Sequence, residues 1–284
     1  MKILVIGAAG QLGHDLMEQL PADHEVTGVD IGEIDITDPA SVARVFEAEG
    51  PGLVINSAAY TNVDGCETDR EAAWAVNAEG PGHVARACAE AGAALIHIST
   101  DYVFDGTARE PYREDAPVAP LGEYGRSKLA GEEAVRQALG RHLIVRTAWL
   151  FGTHGHNFVK TMLRLGRERD ELKVVNDQTG APTYSGHLAR AVKGLAETRL
   201  DDPGVYHMTG GGHCTWYEFA AEIFRLAGVE VGLKRTTAAE FASPAPRPAY
   251  SVLANTRAPE LALPHWREGL IECLAGLGEL RQGA

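Results

Sequence analysis

The chain has 284 residues, of which 45% are hydrophobic and 23% are charged, and its formal net charge is -13. This length buries a sizeable core without disulfides or metals, and the composition excludes a disordered or fibrous protein. The acidic balance argues against nucleic acid as a partner, because phosphate binding needs a concentrated basic surface.

The cysteines and the apolar runs bear on the compartment. Cys66, Cys88, Cys214 and Cys273 are widely scattered and form no Cys-x-x-Cys pair, which argues against a disulfide framework and a thiolate zinc site. The apolar run at residues 3–6 meets glycines too early for a signal peptide, and no later run approaches the length of a membrane span. We therefore expect a cytoplasmic protein without a membrane partner.

The first half of the chain alternates short β-rich runs with longer amphipathic or alanine-rich stretches. This pattern predicts βα units around a parallel, doubly wound α/β sheet. The predicted strands are residues 3–6, 25–29, 53–56, 95–99 and 143–146. The predicted helices are residues 11–20, 41–49, 69–90 and 124–139.

The alternation loosens after residue 151, and we expect a smaller, mainly substrate-binding domain at 152–284 after a dinucleotide-binding domain at 1–151. The predicted elements are helices at 158–167 and 185–198 and a strand at 205–208. Thr215 and Glu218 have the spacing of a capping box that opens a helix through residue 226. A proline-rich segment, 244–248, precedes a last helix at 266–280. Some segments of this half are expected to return and pack on the sheet.

Glycines at spacing three and three follow the first predicted strand and lead into a helix. Gly7, Gly10 and Gly13 permit a tight turn and a close approach of a pyrophosphate to the helix N-terminus. The alternative is an ordinary tight strand–helix turn. The position between strand and helix favours dinucleotide binding.

Acidic residues follow the second predicted strand. Asp30 stands about 20 residues after the glycine loop, where a carboxylate accepts hydrogen bonds from the adenosine ribose and repels a 2′-phosphate. This favours NADH, although NADPH stays open. Asp35 and Ile36 are placed to edge the adenine, but a helix start at Asp38 explains acidic residues here equally well.

After the third predicted strand come small residues that permit a cofactor to lie against the sheet. They include Ala59, followed by Tyr60 and Thr61. Close helix packing is an equally good reason for alanines at this place.

A tyrosine and a lysine four residues apart are the strongest chemical signal. On a helix, Tyr124 and Lys128 share one face. A phenol has a pKa of about 10, and a neighbouring ammonium stabilises the phenolate that remains after proton transfer. Lys128 can also bind the nicotinamide ribose. The alternative is a chance pair on an exposed helix, which is disfavoured after a dinucleotide loop and several βα units.

Two polar residues end the fourth predicted strand, at the sheet edge where reacting groups gather. Thr100 is placed to orient a substrate carbonyl for Tyr124. Asp101 either binds a sugar hydroxyl or caps the loop, and the two alternatives stand equal.

Taken together and in order, these motifs resemble the dTDP-4-dehydrorhamnose reductase family of the extended short-chain dehydrogenases/reductases. The resemblance covers nearly the full length. Its motifs are the glycine loop, residues 99–106, the Tyr-Gly-x-x-Lys motif at 124–128, residues 146–149, 157–159 and 176–183, and Arg247-Pro248.

The resemblance implies a Rossmann domain with a C-terminal substrate domain and NAD(P)H-dependent reduction of the C4 ketone of a dTDP-linked deoxysugar. It implies Thr100, Tyr124 and Lys128 as catalytic residues. The implied cofactor positions are Gly10, Gln11, Leu12, Asp30, Asp35, Ile36, Ala59, Tyr60 and Thr61. The implied substrate contacts are Thr100, Asp101 and Trp149. For Trp149, packing in the core is the alternative. Arg247 is our own candidate for contact with the nucleotide phosphates.

Some members of this family bind Mg²⁺ between subunits through acidic side chains. Asp15 is a counterpart, but residues 184–187 are Tyr-Ser-Gly-His and supply no carboxylate. We therefore expect no metal site and no metal-bridged dimer. Asp15 is better explained by the dipole of its helix, as a residue of the first turn. Whether the chain forms a homodimer is left open.

Two other functions share these motifs. A nucleotide-sugar epimerase or dehydratase has the same loop and Tyr/Lys pair, although a dehydratase tends to carry an acid where this chain has Tyr102. A non-catalytic regulatory subunit that resembles the methionine adenosyltransferase beta subunit would bind a dinucleotide and a partner protein without turnover.

Overall fold

The computed structural model describes residues 1–281 and contains twelve strands and eleven α-helices within them. The strands are β1 Lys2–Ile6, β2 Glu25–Val29, β3 Leu53–Asn56, β4 Ala94–Thr100, β5 His142–Thr147, β6 Leu150–Phe151, β7 Glu171–Val175, β8 Thr179–Gly180, β9 Thr183–Tyr184, β10 Gly204–His207, β11 Cys214–Thr215 and β12 Gly232–Thr236. The helices are α1 Gln11–Gln19, α2 Pro39–Glu49, α3 Val63–Thr68, α4 Arg70–Trp74, α5 Gly80–Ala91, α6 Glu123–Ala138, α7 Phe158–Glu168, α8 Ser185–Thr198, α9 Trp216–Ala227, α10 Ala238–Phe241 and α11 Trp266–Gly276.

A six-stranded parallel sheet forms the centre, in the order β10-β5-β4-β3-β1-β2. The chain runs from β1 to β2 and then returns past β1 to β3, so the direction of winding reverses between β1 and β3. Such a reversal opens a crevice at the carboxyl ends of the strands. The predicted doubly wound sheet is confirmed.

Helices cover both faces of this sheet, as the burial of β1 requires. Successive side chains of a strand point to opposite faces, so Ile3 and Val5 pack with residues of α1 and α8, whereas Leu4 and Ile6 pack with α2, α5 and α6. The sheet therefore separates two apolar clusters, one beneath each layer of helices.

A further apolar cluster lies in the latter half of the chain. It joins α7, α9 and α11 with the parallel pair β7 and β12, around buried side chains such as Phe219 and Trp266. Strand β10 and helix α8 belong instead to the central sheet and its cover. A domain boundary at residue 151 stays a prediction, and the last three residues of the second predicted domain lie outside the described residues.

The structure differs from the predicted helix at residues 69–90. It is divided into α4, a wide π-type turn at Ala75–Glu79, and α5. The cause lies at Asn77, whose amide exchanges hydrogen bonds with the backbone of Tyr60 (2.8 and 3.1 Å). π-Bulges of this kind are frequent beside functional sites.

Other predicted elements hold closely. The capping box of Thr215 and Glu218 is formed at the start of α9, whereas the last helix stops at Gly276, short of the predicted 280. The strands β7 and β12 were not predicted from the sequence. Within residues 1–281, no helix has both the length and the apolar character that a bilayer crossing requires.

Candidate active site

A cleft of about 870 Å³ opens at the carboxyl ends of the central strands. The loops after β1, β2, β3, β4 and β5 line one side, and residues of the latter half, including Trp216, line the other. With one exception, Arg247, every residue predicted for the cofactor, catalysis or the substrate lies in its wall. The five strand ends thus bring together residues that are far apart in sequence.

The glycine loop after β1 is shaped by its lack of side chains. Gly7 has a φ of +85°, and a Cβ there would lie 2.7 Å from the backbone nitrogen of Ala58. A Cβ on Gly13 would lie 2.1 Å from the carbonyl oxygen of Gly7. Within residues 1–281, no side chain caps the first turn of α1, where Gln11 and Leu12 line the cleft. A cradle with free N–H groups fits a pyrophosphate.

Asp30 lies beside this loop at the end of β2. Its two carboxylate oxygens accept hydrogen bonds from the N–H groups of Ala9 (2.8 Å) and Ile31 (2.7 Å). Its own N–H donates to Glu33 Oε2 at 2.8 Å. These bonds fix the carboxyl group at the edge of the cleft.

The other acidic residues of this region have local partners. Asp35 Oδ1 accepts hydrogen bonds from the N–H and the hydroxyl of Thr37, which lower the pKa of Asp35. Asp38 caps α2 by accepting from the N–H of Ala40 at 2.9 Å, as the structural alternative predicted. Ile36 is buried and lines the cleft.

The segment Ala59-Tyr60-Thr61 also lines the cleft. Asn77, in the π-type turn, holds its backbone, and the Asn77 amide also donates to Ser127 Oγ of α6 at 3.3 Å. One buried amide therefore connects the third strand loop to the helix that carries Tyr124.

Thr100 ends β4, and Asp101 begins a single 3₁₀ turn, Asp101–Val103. Thr100 Oγ1 donates to Asp101 Oδ1 at 3.0 Å and accepts from the N–H of Tyr102 at 3.2 Å. Asp101 is 2% exposed, and its Oδ2 has no hydrogen-bond partner among the described residues. Burial raises the pKa of the Asp101 carboxyl to about 7.

Tyr124 and Lys128 lie one turn apart on α6, which comes close to the 3₁₀ turn because position 125 is glycine. A Cβ on Gly125 would lie 2.2 Å from the carbonyl oxygen of Tyr102. Lys128 is 2% exposed and donates from Nζ to the Ile98 carbonyl at 2.7 Å. Burial lowers the pKa of Lys128 to about 8, against the opposing charge of Glu132.

The phenol of Tyr124 keeps its proton at neutral pH in this structure. Burial raises the pKa of Tyr124 above its ordinary value, and the carboxyl of Asp101 adds to the rise. Proton transfer from this phenol therefore depends on a group that stabilises the phenolate left behind.

A buried ion pair joins strand β5 to helix α6. Arg146 of β5 donates to Glu132 of α6 through Nε (2.8 Å) and one terminal nitrogen (2.7 Å), and Ser99 Oγ donates to the same carboxylate at 2.6 Å. The geometry is bidentate, which fixes orientation as well as charge. The pair ties the helix of Tyr124 to the central sheet.

Trp149 follows β5 in the left-handed region, with a φ of +47° that is uncommon for residues with a side chain. It is half-buried, lines the cleft, and stacks on Trp216 with ring centroids 3.5 Å apart. It is therefore both packed and accessible from the cleft.

Arg247 lies outside the cleft wall. Its guanidinium pairs with Asp64 Oδ1 at 3.0 Å and donates to the carbonyl of Ala245 at 3.0 Å. Contact with nucleotide phosphates stays a prediction for this residue.

Asp15 requires a correction. It lies beyond the first turn of α1 and is 5% exposed, so the predicted explanation by the helix dipole is wrong. Burial raises its pKa, and its Oδ2 has no hydrogen-bond partner within residues 1–281. Across the same residues, no three His, Cys, Asp or Glu side chains gather in a metal-binding arrangement.

Sequence reasoning did not identify Asn77, Glu132 or Trp216. A signal existed for Glu132, which follows Tyr124 and Lys128 at the same four-residue spacing and so shares their helix face. Nothing in the sequence distinguished Asn77 from other helical polar residues. Trp216 sits inside a capping box, which gave a sufficient structural reason for that segment.

A doubly wound sheet, a glycine cradle and a Tyr-x-x-x-Lys helix at one cleft define the class of Rossmann-type short-chain dehydrogenases/reductases. The chain belongs, more particularly, to the family whose model is described as the RmlD substrate binding domain, which matches residues 1–278.

Individual relatives agree with this assignment. The chain is 44% identical over 283 residues to a protein of Streptomyces griseus named dTDP-4-dehydrorhamnose reductase, covering 96% of this chain and 93% of the relative. A Clostridium acetobutylicum structure named dTDP-4-dehydrorhamnose reductase superposes with a TM-score of 0.94 at 46% identity, covering 98% and 100% of the two chains. A Bacillus anthracis structure of the same name, in complex with NADP, superposes with a TM-score of 0.93 at 41% identity, covering 96% and 98%.

Proposed function

We propose that the chain reduces the C4 ketone of dTDP-4-dehydro-L-rhamnose to give dTDP-L-rhamnose, with NADH or NADPH as the reductant. The observation that carries the proposal is the common cleft of Thr100, Tyr124, Lys128 and the glycine loop. The relatives' names supply the sugar, and the shared cleft supplies the chemistry.

The residues of the cleft fit a dinucleotide. Gly7, Gly10, Gln11 and Leu12 would hold the pyrophosphate, Asp30 the adenosine ribose, and the segment after β3 the middle of the cofactor. When bound, the reduced nicotinamide supplies a hydride to C4 of the sugar. Asp30 is our reason to favour NADH over NADPH, because a carboxylate beside the adenosine ribose would repel a 2′-phosphate.

Acid catalysis falls to Tyr124. On substrate binding the Thr100 hydroxyl would turn its one proton from Asp101 Oδ1 to the ketone oxygen and orient the ketone. The Tyr124 phenol then gives its proton to that oxygen as negative charge develops there. Lys128 stabilises the phenolate that remains and binds the nicotinamide ribose. The balance is one hydride to carbon and one proton to oxygen.

The substrate's sugar and nucleotide have their own contacts in this proposal. Asp101 lies in the cleft wall beside Thr100, a position that suits contact with a sugar hydroxyl. Trp149 lies on the same wall, and Arg247 would approach the diphosphate from outside it. Whether the chain forms a homodimer stays open.

The test is a spectrophotometric assay of NADH consumption with dTDP-4-dehydro-L-rhamnose, for the wild type and for Tyr124→Phe. We expect a loss in kcat of roughly 10²- to 10⁴-fold, the usual contribution of a positioned acid, with the affinity for NADH retained. Near-normal kcat in Tyr124→Phe would overturn the role of the phenol.

The same assay separates the two alternatives. Turnover of the 4-keto sugar contradicts a purely regulatory subunit. An epimerase or dehydratase keeps its NAD⁺ through the cycle, so purified protein that carries stoichiometric NAD⁺ and consumes no added NADH would contradict the reductase.

A further inference from the structure

Trp149 is held in a backbone conformation that its side chain disfavours. Its φ is +47°, and its carbonyl oxygen accepts a hydrogen bond from the N–H of Thr183 at 3.2 Å, where β6 and β9 begin to pair. Such strain costs free energy and persists only where neighbouring groups hold it. The residues in contact with the indole must therefore hold it in place.

One face of the indole is covered by the backbone of Gly180. A Cβ placed on Gly180 would lie 2.3 Å from Trp149 Cε2, and 2.6 and 2.7 Å from Nε1 and Cζ2. The nearest atom is the one bonded to both others, so the position is above the ring plane and not at its edge. Glycine is required here because any side chain would enter the ring.

The other face is covered by Trp216. The two indoles are nearly parallel, with an interplanar angle of 6° and a centroid distance of 3.5 Å. Rings this close leave no room for a backbone between them, so Gly180 and Trp216 lie on opposite faces. Phe158 in turn packs on Trp216 at a centroid distance of 4.6 Å.

Trp149 nevertheless lines the cleft, and with both faces covered it meets a ligand through its edge. The indole carries its Nε1–H donor on the ring edge, and Trp149 is half-buried, not enclosed. We propose that Gly180 and Trp216 are positioning residues that clamp Trp149, so that its ring edge, and not its face, donates to an oxygen of the nucleotide sugar.

This inference rests on the proposed function for the identity of the ligand. Neither Gly180 nor Trp216 belongs to the glycine loop that would bind the cofactor, so their proposed role concerns the sugar only. Loss of the clamp therefore acts on the sugar and not on the dinucleotide.

The first experiment compares Trp216→Ala and Trp216→Phe in steady-state kinetics. We expect Trp216→Ala to raise the KM for dTDP-4-dehydro-L-rhamnose roughly five- to tenfold, the value of one neutral hydrogen bond, while the KM for NADH is unchanged. Trp216→Phe retains a flat ring and restores most of the affinity. Phe241→Ala, which removes an exposed ring outside the cleft wall, is the control.

A double-mutant cycle shows whether Trp216 acts through Trp149. In a Trp149→Phe background, which lacks the N–H donor, Trp216→Ala should change the sugar KM by less than twofold, because the contact is already lost. Gly180→Ala, which forces a Cβ into the ring, should reproduce the effect of Trp216→Ala. If Trp216→Ala fails to fold, Gly180→Ala still tests whether the clamp on Trp149 affects sugar binding.

A readout independent of turnover is the exciton couplet that two stacked indoles give in circular dichroism. It should vanish in Trp216→Phe and Trp149→Phe and persist in Trp74→Phe. If wild-type protein shows the couplet but reduces no sugar, the proposed function fails, and calorimetry with dTDP-L-rhamnose then judges the clamp. The clamp is overturned if Gly180→Ala and Trp216→Ala leave sugar binding unchanged while Trp149→Phe weakens it.

Discussion

The ammonium of Lys128 donates a hydrogen bond of 2.7 Å to the carbonyl oxygen of Ile98, so the helix that carries Tyr124 is anchored on the strand that ends in Thr100. The lysine is thereby withdrawn from water. Lys128 therefore loses its proton at a lower pH than an exposed lysine does. This shift determines how activity and stability should depend on pH.

Activity should fall as pH rises through about 8, the pKa to which burial lowers Lys128. Above that value the ammonium becomes neutral and no longer stabilises the phenolate of Tyr124. The measurement is the pH profile of kcat/KM, which reports groups of the free protein. A profile that stays flat from pH 7 to 10 would contradict this role for Lys128.

The stability contribution of the same group has the opposite sign. The lysine of the unfolded chain holds its proton up to its ordinary pKa of 10.5, so the unfolded state binds more protons between about pH 8 and that value. The contribution of Lys128 to the unfolding free energy therefore rises with pH in this window. Denaturant unfolding at pH 7.5 and 9.5, with Lys128→Met as the control that lacks the group, separates loss of activity from loss of structure.

Removing the charge of Asp30 should change the cofactor preference. In Asp30→Asn, the amide oxygen still accepts one backbone hydrogen bond, but a 2′-phosphate no longer meets a carboxylate. We expect the ratio of kcat/KM for NADPH to that for NADH to rise about five- to tenfold, the effect of one exposed charge at close range. Asp38→Asn is the matched control, because asparagine caps a helix as well as aspartate does. An unchanged ratio would remove Asp30 from the ribose site.

The ion pair of Glu132 and Arg146 should dominate stability in its region. Glu132→Ala leaves a buried guanidinium without its carboxylate and should lower the free energy of unfolding by about 3–5 kcal/mol. The neighbouring exposed residue gives a control, since Glu133→Ala should stay within about 0.5 kcal/mol of wild type. Urea unfolding measures both. A small effect of Glu132→Ala would mean that water reaches Arg146.

Chelation should leave activity unchanged. Asp15 is a buried carboxyl, and within residues 1–281 it belongs to no group of three His, Cys, Asp or Glu side chains that could hold a metal. A hard cation needs several oxygen ligands. We expect equal rates with excess EDTA and with added Mg²⁺, measured in the NADH assay. A rate that falls with EDTA and recovers with Mg²⁺ would contradict the prediction.

The central sheet and most of its helices were predictable because their signals are local. Glycines at 7, 10 and 13, and the four-residue spacing of Tyr124 and Lys128, have meanings that depend on neighbours along the chain. The same holds for the capping box at Thr215. Family resemblance then ordered these signals into one site.

What escaped prediction depends on pairings between distant segments. Trp149 and Trp216 are 67 positions apart in the numbering, and neither sequence environment indicates that their rings stack. The π-type turn is caused by Asn77 reaching the Tyr60 backbone, a contact that helical propensity cannot report. The strands β7 and β12 form a two-stranded parallel sheet. They are far apart in the chain, because the strands β8 to β11 and the helices α8 and α9 lie between them.

The sheet order has a consequence for synthesis of the protein. Strand β10 completes the central sheet beside β5, and α8 covers one face of it, although both follow residue 151 in the chain. A ribosome must therefore release residue 207 before the nucleotide-binding layer can close. Until then β5 is an open edge that neighbouring nascent chains can pair with.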